Sequence, residues 1–206
     1  MPVPGSRTPG LVGPFAAMLG FDSGSLTPHR ATFVRRLSEM AGAYQDGAAA
    51  RAILAGGDDP VIYLGYDGDV PEEPGHLLFR TTIINPGTIG SEFFMTKGHH
   101  HVRDSAEFYL GMSGMGVMLM ESRDGKFAAE RLLPSAVVYV PPGWAHRTVN
   151  TGGTPLAFLA VYSGDAGHDY ASVERSGFSR RVHRGQAGAE LRPEASSQGG
   201  PGGTAG

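Results

Sequence analysis

Glu107-Phe-Tyr-Leu-Gly-Met112, Gly116-Val-Met-Leu-Met-Glu121, Val137-Val-Tyr-Val140 and His146-Arg-Thr-Val-Asn150 are short apolar runs separated by turn residues such as Asp124-Gly125 and Gly152-Gly153. Val, Ile, Tyr, Phe and Thr suit a pleated, half-buried surface, so each run reads as a strand. The pattern continues on both sides, at 61–66, 77–84, 92–96 and 156–162, with Pro86-Gly87 as a further turn. Short strands punctuated this often predict an all-β sandwich or barrel. No long helical pattern separates them, which argues against a parallel α/β sheet. The 32 glycines and 15 prolines among 206 residues agree, since both are poor helix-interior residues.

Upstream, residues 46–54 read as the one clear helix, with Asp46 as N-cap and Gly56-Gly57 as its stop. Residues 34–40 fit helix or strand. Residues 1–25 are rich in Pro and Gly and read as a poorly ordered extension. The tail, 185–206, holds seven glycines and almost no large apolar side chains. Such a segment buries too little surface to offset its chain entropy. The expected domain is therefore 26–184. The net charge of −3 speaks against a phosphate-facing basic surface, so no nucleic-acid partner is expected. No run approaches a membrane span and no secretory signal opens the chain, so a cytoplasmic protein without a membrane partner is expected. Cys is absent, which excludes disulfides and thiolate metal sites.

Half of the eight histidines lie between residues 99 and 146. In a strand, alternate side chains share a face. His99 and His101 therefore point one way and His100 the other. Two imidazoles at i and i+2 can converge on one ion. Glu107 opens the next strand and can add an oxygen, and His146 can be the fourth ligand. Three imidazoles and a carboxylate suit Fe, Mn, Zn, Ni or Co. The competing reading of a triple His is a solvated surface run. Its flanks, however, are strand-like, and Pro141-Pro-Gly-Trp-Ala-His146-Arg-Thr-Val-Asn150 forms a second motif, P-x-G-x-x-H-x-x-x-N. The methionines at 112, 115, 118 and 120 read as core.

His99-x-His101, Glu107, Gly114 and the second motif resemble the two motif stretches of the cupin superfamily. That resemblance implies a double-stranded β-helix, a small jelly roll. Phe93 and Ser135 stand where the general motifs carry Gly, and five residues separate His101 from Glu107. A narrower resemblance accounts for that gap. Gly90-Ser-Glu-Phe-Phe-Met-Thr-Lys-Gly-His-His-His101, Ala106-Glu-Phe-Tyr109, Val138-Tyr-Val-Pro-Pro142 and Asp165-Ala-Gly-His-Asp-Tyr170 are similar to the cupin-type glucose-6-phosphate isomerases. Arg35-Arg-Leu-Ser-Glu-Met40 and Pro60-Val-Ile-Tyr63 extend the similarity upstream.

The resemblance implies an aldose–ketose isomerase of glycolysis and gluconeogenesis that interconverts glucose 6-phosphate and fructose 6-phosphate. It implies one divalent transition metal per subunit, held by His99, His101, Glu107 and His146, and a homodimer. Thr82, Thr96 and Gly98 match positions that hold the substrate phosphate. Tyr63, Tyr109, Tyr162 and His168 match residues around the sugar, with Glu107, Tyr162 and His168 in catalytic positions. On residue type alone the tyrosines also read as half-buried strand residues, and Lys97, one of two lysines, reads equally as a solvated face. Hydrogen can move between C1 and C2 by a base, for which Glu107 is the natural group, or by a direct hydride shift. Two other readings of the same ligands are a metal-dependent cupin dioxygenase and a non-enzymatic sugar- or metabolite-binding cupin.

Overall fold

The computed structural model describes residues 12–194. In chain order the elements are β1 (Met18–Leu19), β2 (Leu26–Thr27), β3 (Ala31–Arg36), α1 (Leu37–Met40), α2 (Gly47–Ala55), β4 (Val61–Asp67), β5 (Leu77–Ile84), β6 (Thr88–Ile89), β7 (Glu92–Phe93) and β8 (Glu107–Ser113). There follow β9 (Gly116–Ser122), β10 (Phe127–Leu132), β11 (Val137–Val140), β12 (Trp144–Asn150), β13 (Leu156–Ser163), α3 (Tyr170–Ser176), β14 (Arg180–Gly185) and β15 (Gly188–Pro193).

Six antiparallel strands form one sheet in the order β11-β8-β13-β5-β4-β3. Facing it is the sheet β10-β9-β12. Isolated bridges, Met95 to Val149 and His99 to His146, carry residues 95–99 along β12. A smaller sheet, β15-β14-β7-β6, takes its β6 and β7 from the chain just before that segment. The core lies between the two layers. Ile84, Tyr109, Phe158 and Ala160 come from the first, and Met118, Met120 and Val149 from the second. Asn150 ties the layers by donating Nδ2–H to the carbonyls of Ile84 (2.8 Å) and Thr154 (2.9 Å). The architecture is the expected cupin jelly roll. No described helix is long and apolar enough to cross a membrane.

Asp46 caps α2 by accepting from the Ala49 N–H at 2.9 Å. Residues 34–40 divide: the chain is strand to Arg36 and helix from Leu37. Several expectations change. Residues 185–194 do not stand outside the fold, because β15 pairs with β14 from Arg180↔Pro193 to Gly185↔Gly188. Every β15 side chain is exposed, so backbone hydrogen bonds place this strand where apolar burial would not. Met18–Leu19, inside the expected N-terminal extension, pairs with Leu26–Thr27 of the domain. The remainder of both end segments, 1–11 and 195–206, lies outside the described residues. β10 gives no strand signal because Ala and Glu dominate it, yet it pairs along its whole length with β9. Met112, Met118 and Met120 are core, whereas Met115 is 52% exposed at the β8–β9 turn.

Candidate metal centre and active site

Antiparallel partners directly opposite one another share a sheet face. Tyr162 lies opposite Glu107, Ala160 opposite Tyr109 and Arg80, Phe158 opposite Thr82, and Asp67 opposite Arg80. These side chains therefore form one inner wall on the six-stranded sheet. Tyr63 of β4 and Arg35 of β3 are likewise opposite one another and extend it. The other wall is β12 with residues 96–99. Between them is a cavity of about 250 Å³.

One ligand-type atom from each of His99, His101, Glu107 and His146 lies within 4.8 Å of the other three. His101 Nε2 is 3.1 Å and His146 Nε2 is 2.9 Å from Glu107 Oε2. The outer nitrogens are fixed: His101 Nδ1 is 2.8 Å from the Ser105 carbonyl, and His146 Nδ1 is 3.3 Å from that of Trp144. A carbonyl accepts only, so each Nδ1 carries a proton, and in the neutral ring Nε2 is left to offer a lone pair inward. The Nε2 atoms of His99 and His146 are buried without a hydrogen-bond partner. Orphaned imidazole nitrogens around a carboxylate fit a bound cation. Burial, reinforced by the neighbouring imidazoles, pushes the His99 pKa well down, leaving it neutral. Burial alone would raise the Glu107 carboxyl, but His146 and His101 outweigh it and hold the pKa at about 2. A neutral imidazole and an ionised carboxylate are the metal-binding forms. His100 turns the opposite way: its Nδ1 is 3.1 Å from Ser172 Oγ on α3.

The turn at residues 96–98 forms a second feature. The Thr148 N–H donates to Thr96 Oγ1 at 3.1 Å, and the Thr96 N–H donates to the Thr148 carbonyl at 2.9 Å. The Thr96 oxygen already accepts, so its own proton is free to be given. Gly98 has φ +76°. A Cβ there would stand 2.9 Å from the Phe178 ring and 3.1 Å from the His146 carbonyl oxygen, so only glycine fits. Thr82 reaches the cavity from the far wall. His168 packs over the donor cluster, with its ring 4.4 Å from His99 and 5.3 Å from Tyr162.

The glucose-6-phosphate isomerase (GPI) family model matches residues 34–192. The chain belongs to that family. It is 45% identical over 170 residues to the glucose-6-phosphate isomerase of Thermococcus gammatolerans, covering 82% of this chain and 88% of that protein. It is 47% identical over 156 residues to the glucose-6-phosphate isomerase of Thermococcus kodakarensis, covering 75% and 82%. Among solved structures, oxalate decarboxylase from Bacillus subtilis superposes over 52% of this chain and 26% of that one, at 22% identity and a TM-score of 0.42.

In this glucose-6-phosphate isomerase family member the structure gathers Tyr63, Thr82, Thr96, Gly98, Tyr109, Tyr162 and His168 around the same cavity as His99, Glu107 and His146. His101 meets Glu107 just behind it. Lys97 borders the cavity, with Nζ 3.8 Å from Glu174. Sequence reasoning missed Arg80, Arg35, Thr148 and Tyr170, which also line it. The signal was present: each is two residues from, or directly opposite, a residue already selected. Arg80 is paired with Asp67 at 2.6 Å and lies over the Phe33 ring at 4.7 Å.

Proposed function

We propose that this chain is a metal-dependent aldose–ketose isomerase interconverting glucose 6-phosphate and fructose 6-phosphate. The observation that carries this is the placement of two unlike features in one cavity. A buried three-His, one-Glu donor set lies beside a turn whose Thr96 hydroxyl can donate. The family membership agrees with it. A divalent transition ion held by His99, His101, Glu107 and His146 would polarise the sugar oxygens at C1 and C2.

The chain's own groups do the remainder. Thr96, Thr82 and the Gly98 N–H bind the phosphate, which orients the far end of the sugar. Tyr63 and Tyr109 border the carbon chain. Glu107 is ionised and borders the cavity, so its carboxylate is placed to take a proton from C1 of fructose 6-phosphate and return it to C2. Burial, with Arg80 second, lowers the His168 pKa to about 4, so its ring is neutral. Burial raises the Tyr162 hydroxyl to about 12, so it is protonated. This pair is suited to passing the hydroxyl proton between O2 and O1. Homodimerisation also belongs to this reading. Val137 and Tyr139, 65% and 61% exposed on the edge strand β11, support it, and light scattering at micromolar concentration measures it.

A coupled assay on fructose 6-phosphate tests the function, using metal-stripped protein with Fe, Mn, Zn, Ni or Co added back singly. At least one ion restores turnover. Verified metal binding with no turnover of any hexose phosphate would overturn the proposal.

A further inference from the structure

Along β12, His146 and Thr148 face the cavity, and Arg147 between them faces away. Arg147 is almost completely buried. Its guanidinium lies 4.8 Å from the Phe178 ring centroid. Nε and Nη2 both donate to the Lys97 carbonyl, at 3.2 and 2.5 Å. Among the described residues no carboxylate lies within ion-pair distance of it; Glu92 and Glu194 are paired with Arg181, and Glu174 with Lys97. A buried cation given only a neutral carbonyl and a ring face is costly to keep.

The peptide it holds is the one that ends on Gly98. In a trans peptide the C=O and N–H point in opposite directions. Drawing the Lys97 carbonyl towards Arg147 therefore turns the Gly98 N–H away from it, towards the cavity that Gly98 lines. The neighbouring amides are used inside the protein: Thr96 N–H donates to Thr148 and His99 N–H to His146. The Gly98 N–H has no acceptor among the described residues. Behind the turn is a second cavity of about 270 Å³, bordered by Arg147, Lys97, Arg181 and Glu174 among others. The guanidinium is thus the side chain that holds this peptide's carbonyl, between flanking residues anchored to β12. A rotated peptide would present a carbonyl oxygen to an anion in place of an N–H.

We propose that Arg147 is a positioning residue of the phosphate subsite: its two-pronged hold on the Lys97 carbonyl aims the Gly98 N–H at the substrate phosphate. The inference rests on the reading of residues 96–98 as that subsite.

The test uses zinc-loaded, ¹⁵N-labelled protein, following the Gly98 amide and steady-state kinetics. In the wild type the Gly98 amide proton moves downfield on adding fructose 6-phosphate or inorganic phosphate, and not on adding fructose. Arg147→Met, which keeps the side-chain length without the donors, loses that movement. Its KM for fructose 6-phosphate rises about 10- to 100-fold, the scale of one hydrogen bond to a charged group, with kcat nearly unchanged. Bound zinc stays at one per chain. Arg147→Lys, with charge but no fork, gives an intermediate KM and decides the matter alone if the Met variant does not fold. Wild-type KM and a wild-type Gly98 movement in the folded variants would overturn the role, as would a fall in kcat at constant KM. A Gly98 amide indifferent to both phosphates in the unmutated protein would overturn the subsite reading itself, before any substitution is made.

Discussion

Two proposed roles meet on Glu107. Its Oε2 lies within about 3 Å of His101 and His146, as a ligand requires, and its carboxylate borders the cavity, as a base requires. Gln keeps an oxygen and the shape but cannot accept a proton at neutral pH. Glu107→Gln should retain metal through the three imidazoles and lose at least ~10²-fold in kcat with little change in KM. Most of the turnover surviving at full metal occupancy would rule out proton transfer by Glu107 and leave a hydride shift. Among the histidines, His100→Ala should keep its metal, because that ring contacts Ser172 on the far side. His99→Ala removes a donor whose Nε2 has no other partner, and metal affinity should fall by at least ~10²-fold. Elemental analysis after dialysis measures both; metal lost from the His100 variant but not from the His99 variant would invert the assignment of faces.

At the scale of elements, β14 and β15 add to the fold what composition hides. Arg181 on β14 donates to Glu92 on β7, to the Ala43 carbonyl at 2.7 Å and to Glu194 just beyond β15. It thereby ties the smaller sheet to the segment between α1 and α2. Ending the chain after Gly185, compared with ending it after Glu194, removes the β15 ladder and one of the acidic partners. The shorter chain should lose about 1–2 kcal/mol, a drop of roughly 2–8 °C in melting temperature, with kcat unchanged. Identical melting curves for the two chains would show that the hairpin contributes nothing. β12 is the element on which the proposed site converges. Three successive residues place a metal donor, grip the Lys97 carbonyl and orient the Thr96 hydroxyl, which a strand allows because its faces alternate.

For the molecule as a whole, the donor cluster joins the two layers: Glu107 comes from the six-stranded sheet, and His146 with His99 from the facing one. A ligand that binds only the folded state stabilises it, by about 4 kcal/mol at a thousandfold excess over Kd. Chelation should therefore lower the melting temperature by about 10 °C as well as abolish turnover. Stripped protein, shown metal-free, that melts at the same temperature would mean the cluster is preformed without help from the ion.

Local patterns suffice for the all-β class, most strand positions and the four candidate donors. Alternation and turn chemistry are local, and His99, His101, Glu107 and His146 stand within or beside strands whose faces can be counted residue by residue. The resemblance to a known family added the positions proposed for phosphate and sugar, which no local rule selects. Three features waited for the tertiary structure. β15 is held by backbone pairing, which composition does not register. Arg80 enters the cavity only because β5 lies beside β4 and β13. Arg147 reads as an ordinary strand arginine until the chain folds residues 96–98 against β12, 50 positions away in sequence, and brings the Lys97 carbonyl within its reach. Hydrogen bonds between distant segments depend on register and layer order, and these are properties of the assembled sheets.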